Sequence, residues 1–90
     1  MESQFITMAP HAWGKGKTPE ESLKKCRQIY GSGMKDYDVY SVHPDTTVDG
    51  DGSFEWPVHP DDPPGRASLT NRPKLLQRIR KGKIQPLPPA

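Results

Sequence analysis

The sequence lacks the features of several common protein classes, beginning with cysteine and long apolar runs. Cys26 is the single cysteine in 90 residues, which excludes an internal disulfide and a multi-cysteine zinc site. No stretch approaches the roughly 20 consecutive apolar residues of a membrane-spanning helix. The first residues, Met-Glu-Ser-Gln, do not show the basic and then apolar pattern of a signal peptide. We therefore expect a soluble cytoplasmic protein with no membrane segment.

Apolar residues are also scarce, whereas proline and glycine are abundant. Only 31% of the residues are hydrophobic, and the chain contains 11 prolines and 8 glycines. A chain this short and this polar buries a modest core, so its stability depends on few contacts. The composition predicts one small domain together with a segment that does not fold fully by itself.

Charge of one sign is missing from two long segments. Residues 36–62 contain eight Asp or Glu and no Lys or Arg, and residues 63–90 contain seven Lys or Arg and no acid. The net charge of +2 hides this separation. Such segregation indicates a charged partner, either within the molecule or outside it.

Four regular elements can be predicted from the apolar pattern and the turn residues. Residues 4–9 and 36–42 alternate as strands do, and Asp49-Gly50-Asp51-Gly52 is typical of a hairpin turn that leads into a strand at 53–56. A helix is predicted over 19–30, because Thr18 suits the N-cap, Pro19 suits the first turn and Gly31 suits the C-terminal end. The glycines after Trp13 indicate a turn between the first strand and this helix.

The remaining chain predicts a basic tail. Residues 69–81 carry sparse apolar positions at helical spacing, Gly82 ends that pattern, and the chain finishes in a proline-rich stretch. The predicted fold is therefore α+β: a small β-α-β-β domain, with a three-stranded antiparallel or mixed sheet and one packed helix, plus a weakly helical, Pro-ended basic tail. The corresponding boundaries are 1–58 for the domain, 59–68 for a Pro/Asp-rich loop and 69–90 for a partly helical, partly disordered tail.

The predicted core consists of the apolar residues of these elements together with the aromatic residues beside them. They are Phe5, Ile6, Met8, Trp13, Leu23, Cys26, Ile29, Tyr30, Val39, Tyr40, Phe54 and Trp56.

Three patterns suggest chemistry, and each is incomplete. Gly16-Lys17-Thr18 resembles the end of a phosphate-binding loop, but His11 stands where the first glycine is needed. Asp49-Gly50-Asp51-Gly52 resembles part of a calcium loop, yet neither frame supplies the closing acid. The triplet His-Pro-Asp occurs twice, at 43–45 and 59–61, and is interpreted as two local turns. We expect no metal site, no cofactor and no catalytic residues.

The sequence instead predicts a non-catalytic accessory or inhibitory binding protein that acts through protein contacts, using the acidic hairpin and the basic tail. The alternative is a nucleic-acid-binding protein that places the tail and the basic face of the first helix on phosphates. The candidate partner or nucleic-acid contacts are Lys24, Lys25, Arg27, Arg72, Lys74, Arg78, Arg80, Lys81 and Lys83. Lys15 and Lys17, beside the helix N-terminus, are candidate anion contacts.

Overall fold

The computed structural model describes residues 4–31, 33–62 and 70–87, and it has an α+β fold with one helix and a five-stranded sheet. The elements are β1 (Gln4–Ala9), β2 (Ala12–Gly16), α1 (Pro19–Tyr30), β3 (Tyr37–Val42), β4 (Thr47–Val48), β5 (Phe54–Glu55), β6 (Lys74–Arg80) and β7 (Lys83–Gln85).

The main sheet is antiparallel throughout and has the strand order β2-β1-β3-β6-β7. Side chains that lie opposite each other in this register share one face of the sheet. Thr7, for example, lies opposite Gly14 and Val39 on the face that carries α1. Ile6 lies opposite Lys15 and Tyr40 on the other face. We call these the helix face and the hairpin face, since β4 and β5 form a separate hairpin over the second one.

Helix α1 begins and ends as its sequence predicts. Thr18 has extended backbone angles, and its Oγ1 accepts a hydrogen bond from the N–H of Glu21 at 3.0 Å. Pro19 occupies the first turn, where a missing N–H has no cost. Gly31 ends the helix with a φ of 107°, and its N–H donates to the carbonyl of Arg27 at 2.8 Å. The predicted helix and its capping are confirmed.

Small residues bring α1 very close to the sheet. A Cβ added to Gly14 would lie 2.4 Å from the backbone N of Cys26 and 2.5 Å from the carbonyl O of Ser22. Between the two surfaces, the buried hydroxyl groups of Thr7 and Ser22 form a 2.8 Å hydrogen bond. The glycines of β2 therefore allow the helix to pack directly against the strand. The prediction that they form a turn is wrong.

The hairpin face is covered by the segment that contains β4 and β5. Lys15 Nζ donates to the carbonyl oxygens of Pro44 and Thr46, which ties this segment to β2. The rings of Tyr40 and Phe54 meet edge to face with centroids 4.9 Å apart. The predicted hairpin at residues 49–52 is confirmed, but it forms a layer of its own and does not extend the main sheet.

The predicted helix over residues 69–81 is wrong for residues 74–80, which form β6. Apolar residues at 75 and 79 suit a helical spacing, but they also suit every second position of a strand. The turn after β6 decides between the two. Lys81 and Gly82 both have positive φ, at 54° and 76°, which is the geometry of a tight two-residue hairpin turn and reverses the chain into β7.

The predicted three-stranded β-α-β-β order is corrected by the same strands. Strands β2, β6 and β7 all belong to the main sheet, so residues 74–85, predicted as tail, extend the sheet from β3. The two glycines of β2 and the charged side chains of β6 hide the strand pattern of both elements in the sequence. Parts of the predicted loop and tail, residues 63–69 and 88–90, lie outside the described residues.

The predicted core is confirmed in part. Ile6, Cys26 and Val39 are buried, whereas Trp13 and Ile29 are exposed by 39% and 68%, and Tyr30 is exposed as well. Trp13 lies opposite Met8 on the hairpin face, away from α1. On the helix face, α1 packs so closely that only small side chains, such as that of Ser22, fit between the helix and the sheet. Larger apolar residues on α1 are displaced to its sides.

Candidate functional site

The feature that combines the most chemistry is a cavity of about 380 Å³ between two hairpin turns. One wall comes from β1, β2 and the turn between them, and the other comes from the turn between β4 and β5. The lining residues are Met8, Ala9, His11, Ala12, Trp13, Asp49, Gly50, Asp51 and Gly52. An indole and two carboxyl groups therefore line the same space.

The acidic wall is a tight turn fixed by its own hydrogen bonds. Asp49 N–H donates to the carbonyl of Ser53 at 2.8 Å, and Gly52 N–H donates to the carbonyl of Asp49 at 2.9 Å. Gly52 has a φ of 87°, a conformation that glycine adopts without strain. Asp51 Oδ1 accepts the N–H of Ser53 at 3.0 Å, which positions that carboxylate. The sequence thus presents two acidic side chains on a short, well-defined turn.

The aromatic wall depends on the position of Trp13 in β2. Trp13 lies opposite Met8 on the hairpin face, while its neighbours Ala12 and Gly14 point towards the helix. The turn at Pro10 and His11 brings the chain back, with His11 at a φ of 64°. We predicted Trp13 in the core, and its role in the cavity was missed. The alternation of small and large residues from 12 to 16 is the signal that could have identified it.

Two similar turns hold the ends of the segment that carries the acidic wall. In the first, the N–H of Asp45 donates to Nδ1 of His43 at 3.0 Å, and in the second Asp61 donates to Nδ1 of His59 at 3.1 Å. Each histidine carbonyl also accepts an N–H from three residues further on, from Thr46 and Asp62. The interpretation of the repeated His-Pro-Asp triplet as a local turn is confirmed.

The two arginines of β6 share one acidic partner, Asp38. Asp38 Oδ1 lies 3.2 Å from Nε of Arg78 and 2.8 Å from Nη1 of Arg80. The Asp38 side chain is largely buried, whereas both guanidinium groups are partly exposed. Close by, burial and the negative charge of Asp38 raise the pKa of Tyr40. Asp36 Oδ1 also accepts the N–H of Lys81 at 2.8 Å, so part of the acidic segment is matched by the basic one.

The candidate basic residues are spread over several surfaces. Lys25 pairs with Glu21 on α1 at 3.2 Å, and Lys15 is occupied by two backbone carbonyls. Lys24 and Arg27 line an open groove of about 590 Å³ beside Leu23. The other candidates are exposed: Lys17 precedes α1, Arg72 precedes β6, Lys74 begins β6, and Lys81 and Lys83 lie at the β6–β7 turn. The structure does not gather these cations on one element.

Cys26 lies in the core, as the sequence predicts. Its side chain is fully buried beside Met34, with the two sulfur atoms 3.5 Å apart, and burial raises the pKa of the thiol. A neutral, buried thiol is a packing group and not a nucleophile.

Two further observations concern residues 4–31, 33–62 and 70–87. Within these ranges no three His, Cys, Asp or Glu side chains are grouped so that they could hold a metal ion. The same residues contain no helix that is both long enough and apolar enough to cross a membrane.

Comparison with known proteins gives no relative. The chain matches no protein-family model, no curated protein and no solved structure.

Proposed function

We propose that the protein is a non-catalytic accessory or inhibitory binding protein whose acidic hairpin, residues 47–55, receives a basic segment of a protein partner. One observation carries the proposal: Asp49, Asp51 and Glu55 of this hairpin are exposed and make no ion pair with a Lys or Arg of the described residues. The arginines of β6, by contrast, already have an acidic partner in Asp38. The charge that the hairpin itself offers to another molecule is therefore negative.

The rigidity of the hairpin supports this proposal. The His-Pro-Asp turns fix the chain on both sides of it, and Lys15 and the contact of Tyr40 with Phe54 tie it to the sheet. Charged groups that are held in place before binding lose less conformational entropy when a partner docks. A fixed acidic surface also steers basic partners during their diffusional encounter.

Binding to synthetic peptides tests the proposal. Arginine- and lysine-rich peptides should bind to the full chain, with an affinity that falls as salt rises. A variant with Asp49→Asn, Asp51→Asn and Glu55→Gln should bind at least about tenfold more weakly, because three charges are lost from the surface. The matched control is Glu20→Gln on α1, which should leave the affinity unchanged. Equal binding by the triple variant and the wild type would sink the proposal.

The alternative function, binding to nucleic acid, is favoured by one observation. Lys24, Arg27 and Lys74 are exposed and have no ion-pair partner among the described residues, and all of them lie outside the acidic hairpin. Mixed-sequence DNA and RNA at two salt concentrations discriminate between the two functions. Steep salt-dependent binding that is lost in Lys24→Gln/Arg27→Gln would favour nucleic acid, and no binding at low salt would remove this alternative.

A further inference from the structure

We infer that the cavity between Trp13 and the acidic turn is a binding site for an arginine side chain of the partner. The inference rests on the proposed function and deepens it, because it names one group of the basic segment and the place that this group occupies. It combines two features that come from separate hairpins: an exposed indole on β2 and carboxylates on the β4–β5 turn.

The carboxylates of the cavity are available to a ligand. The Asp49 side chain makes no hydrogen bond or ion pair with the described residues, and only Oδ1 of Asp51 is engaged, by the N–H of Ser53. Both residues are exposed. A cation between them and Trp13 would therefore meet unpaired negative charge without breaking a contact of the protein.

The opposite wall selects the kind of cation. The indole of Trp13 and the thioether of Met8 provide an apolar surface, and Trp13 is 39% exposed. A tryptophan ring attracts a cation placed over its face, and the planar guanidinium group also stacks on it. A hydrated metal ion gains little from such a wall.

Arginine fits this combination better than lysine. Its guanidinium group is flat, so it can stack on Trp13 while its edge donates two parallel hydrogen bonds to one carboxylate. The lysine ammonium is a strongly hydrated point charge that cannot form this bidentate pair. His11 also lines the cavity, and it is the one titratable group there besides the two aspartates among the described residues.

The test uses three peptides of the same sequence that differ at a central residue, which is arginine, lysine or citrulline. Citrulline keeps the shape of arginine but carries no charge. Binding is followed in the full chain by the NMR signal of the Trp13 indole N–H, assigned by its loss in Trp13→Leu. We expect the arginine peptide to shift this signal and to bind at least about threefold more tightly than the lysine peptide and tenfold more tightly than the citrulline peptide.

Variants locate the site. Asp49→Asn and Trp13→Leu should each weaken the arginine peptide by about three- to tenfold and should reduce its preference over citrulline. Asp45→Asn is the matched control, since it removes one exposed acid from the same segment outside the cavity and should change the affinity by less than about twofold. Thermal unfolding of each variant verifies that the fold is retained.

The outcomes separate this inference from the proposed function. If the three peptides bind equally, or if Asp45→Asn weakens binding as much as Asp49→Asn, the arginine site is refuted while the acidic hairpin remains a binding surface. If none of the basic peptides binds at low salt, the proposed function fails and the arginine site fails with it. Preferential arginine binding that is lost in both cavity variants establishes the site.

Discussion

Gly14 controls how closely the helix and the sheet can approach. At this position the neighbours of an added Cβ are backbone atoms of α1, at 2.4 Å and 2.5 Å, so no side-chain rotation could make room. The buried hydrogen bond between Thr7 and Ser22 needs the same short separation. One missing methyl group therefore fixes the packing of the only helix in the described chain.

Gly14→Ala should lower the free energy of unfolding by about 1–3 kcal/mol, because the helix must move away from β2 and loses its tight packing. Chemical denaturation followed by circular dichroism measures the change. Gly50→Ala is the matched control: it makes the same substitution in the β4–β5 turn, where nothing lies within 4 Å of the added Cβ. A loss of similar size in both variants would show that the close contact at Gly14 does not matter.

At the scale of elements, the helix and the turn that depend on neighbouring residues could be predicted from the sequence. Thr18, Pro19 and Gly31 act on their own turns of the helix, so the bounds of α1 could be read without knowing the rest of the fold. The hairpin turn at Asp49–Gly52 is determined in the same local way.

Elements that depend on distant partners could not be predicted in this way. Strand β6 is held by pairing with β3, about 40 residues earlier in the chain, and its charged side chains hide the strand pattern. Gly14 and Gly16 indicate a turn by composition, yet they are required in β2 by a helix that follows them. The candidate cavity was missed for the same reason, since Trp13 and Asp49 approach each other only in the folded chain.

The ion pairs of Asp38 form because β3 pairs with β6. Asp38→Asn should lower the free energy of unfolding by about 1 kcal/mol, because two partly exposed arginines lose their charged partner. The loss should shrink in 1 M salt, where screening weakens the pairs that Asn removes. Asp45→Asn, an exposed acid with no such pair, is the control. A destabilisation that is independent of salt would point to packing and not to charge.

At the scale of the whole molecule, residues 74–85 of the basic segment are part of the fold. Strand β6 lies between β3 and β7, and Ile79 within it is buried. Removal of residues 70–90 would leave β3 as an unpaired edge and expose the apolar surface that Ile79 covers. The domain boundary that we predicted at residue 58, by contrast, implies that residues 1–58 fold without this segment.

We expect the truncated chain, residues 1–69, to lose cooperative thermal unfolding and the dispersion of its amide NMR signals, because half of the sheet pairing is absent. The control keeps the length and removes the charge: Lys74→Gln, Lys81→Gln and Lys83→Gln in the full chain should retain the fold. A truncated chain that still unfolds cooperatively would show that the domain folds without these residues.

The concentration of acids on the hairpin face has a further consequence for how the molecule meets charged materials. With a sequence pI of about 8.8, the protein would be assigned to a cation-exchange resin. An anion exchanger should nevertheless retain it at neutral pH and low ionic strength. The resin contacts one side of the molecule, so the local negative charge of that side matters more than the net charge. On such a resin the hairpin faces the matrix and α1 faces the buffer. The charge of a support would thus determine which side of the immobilised protein remains accessible to a binding partner.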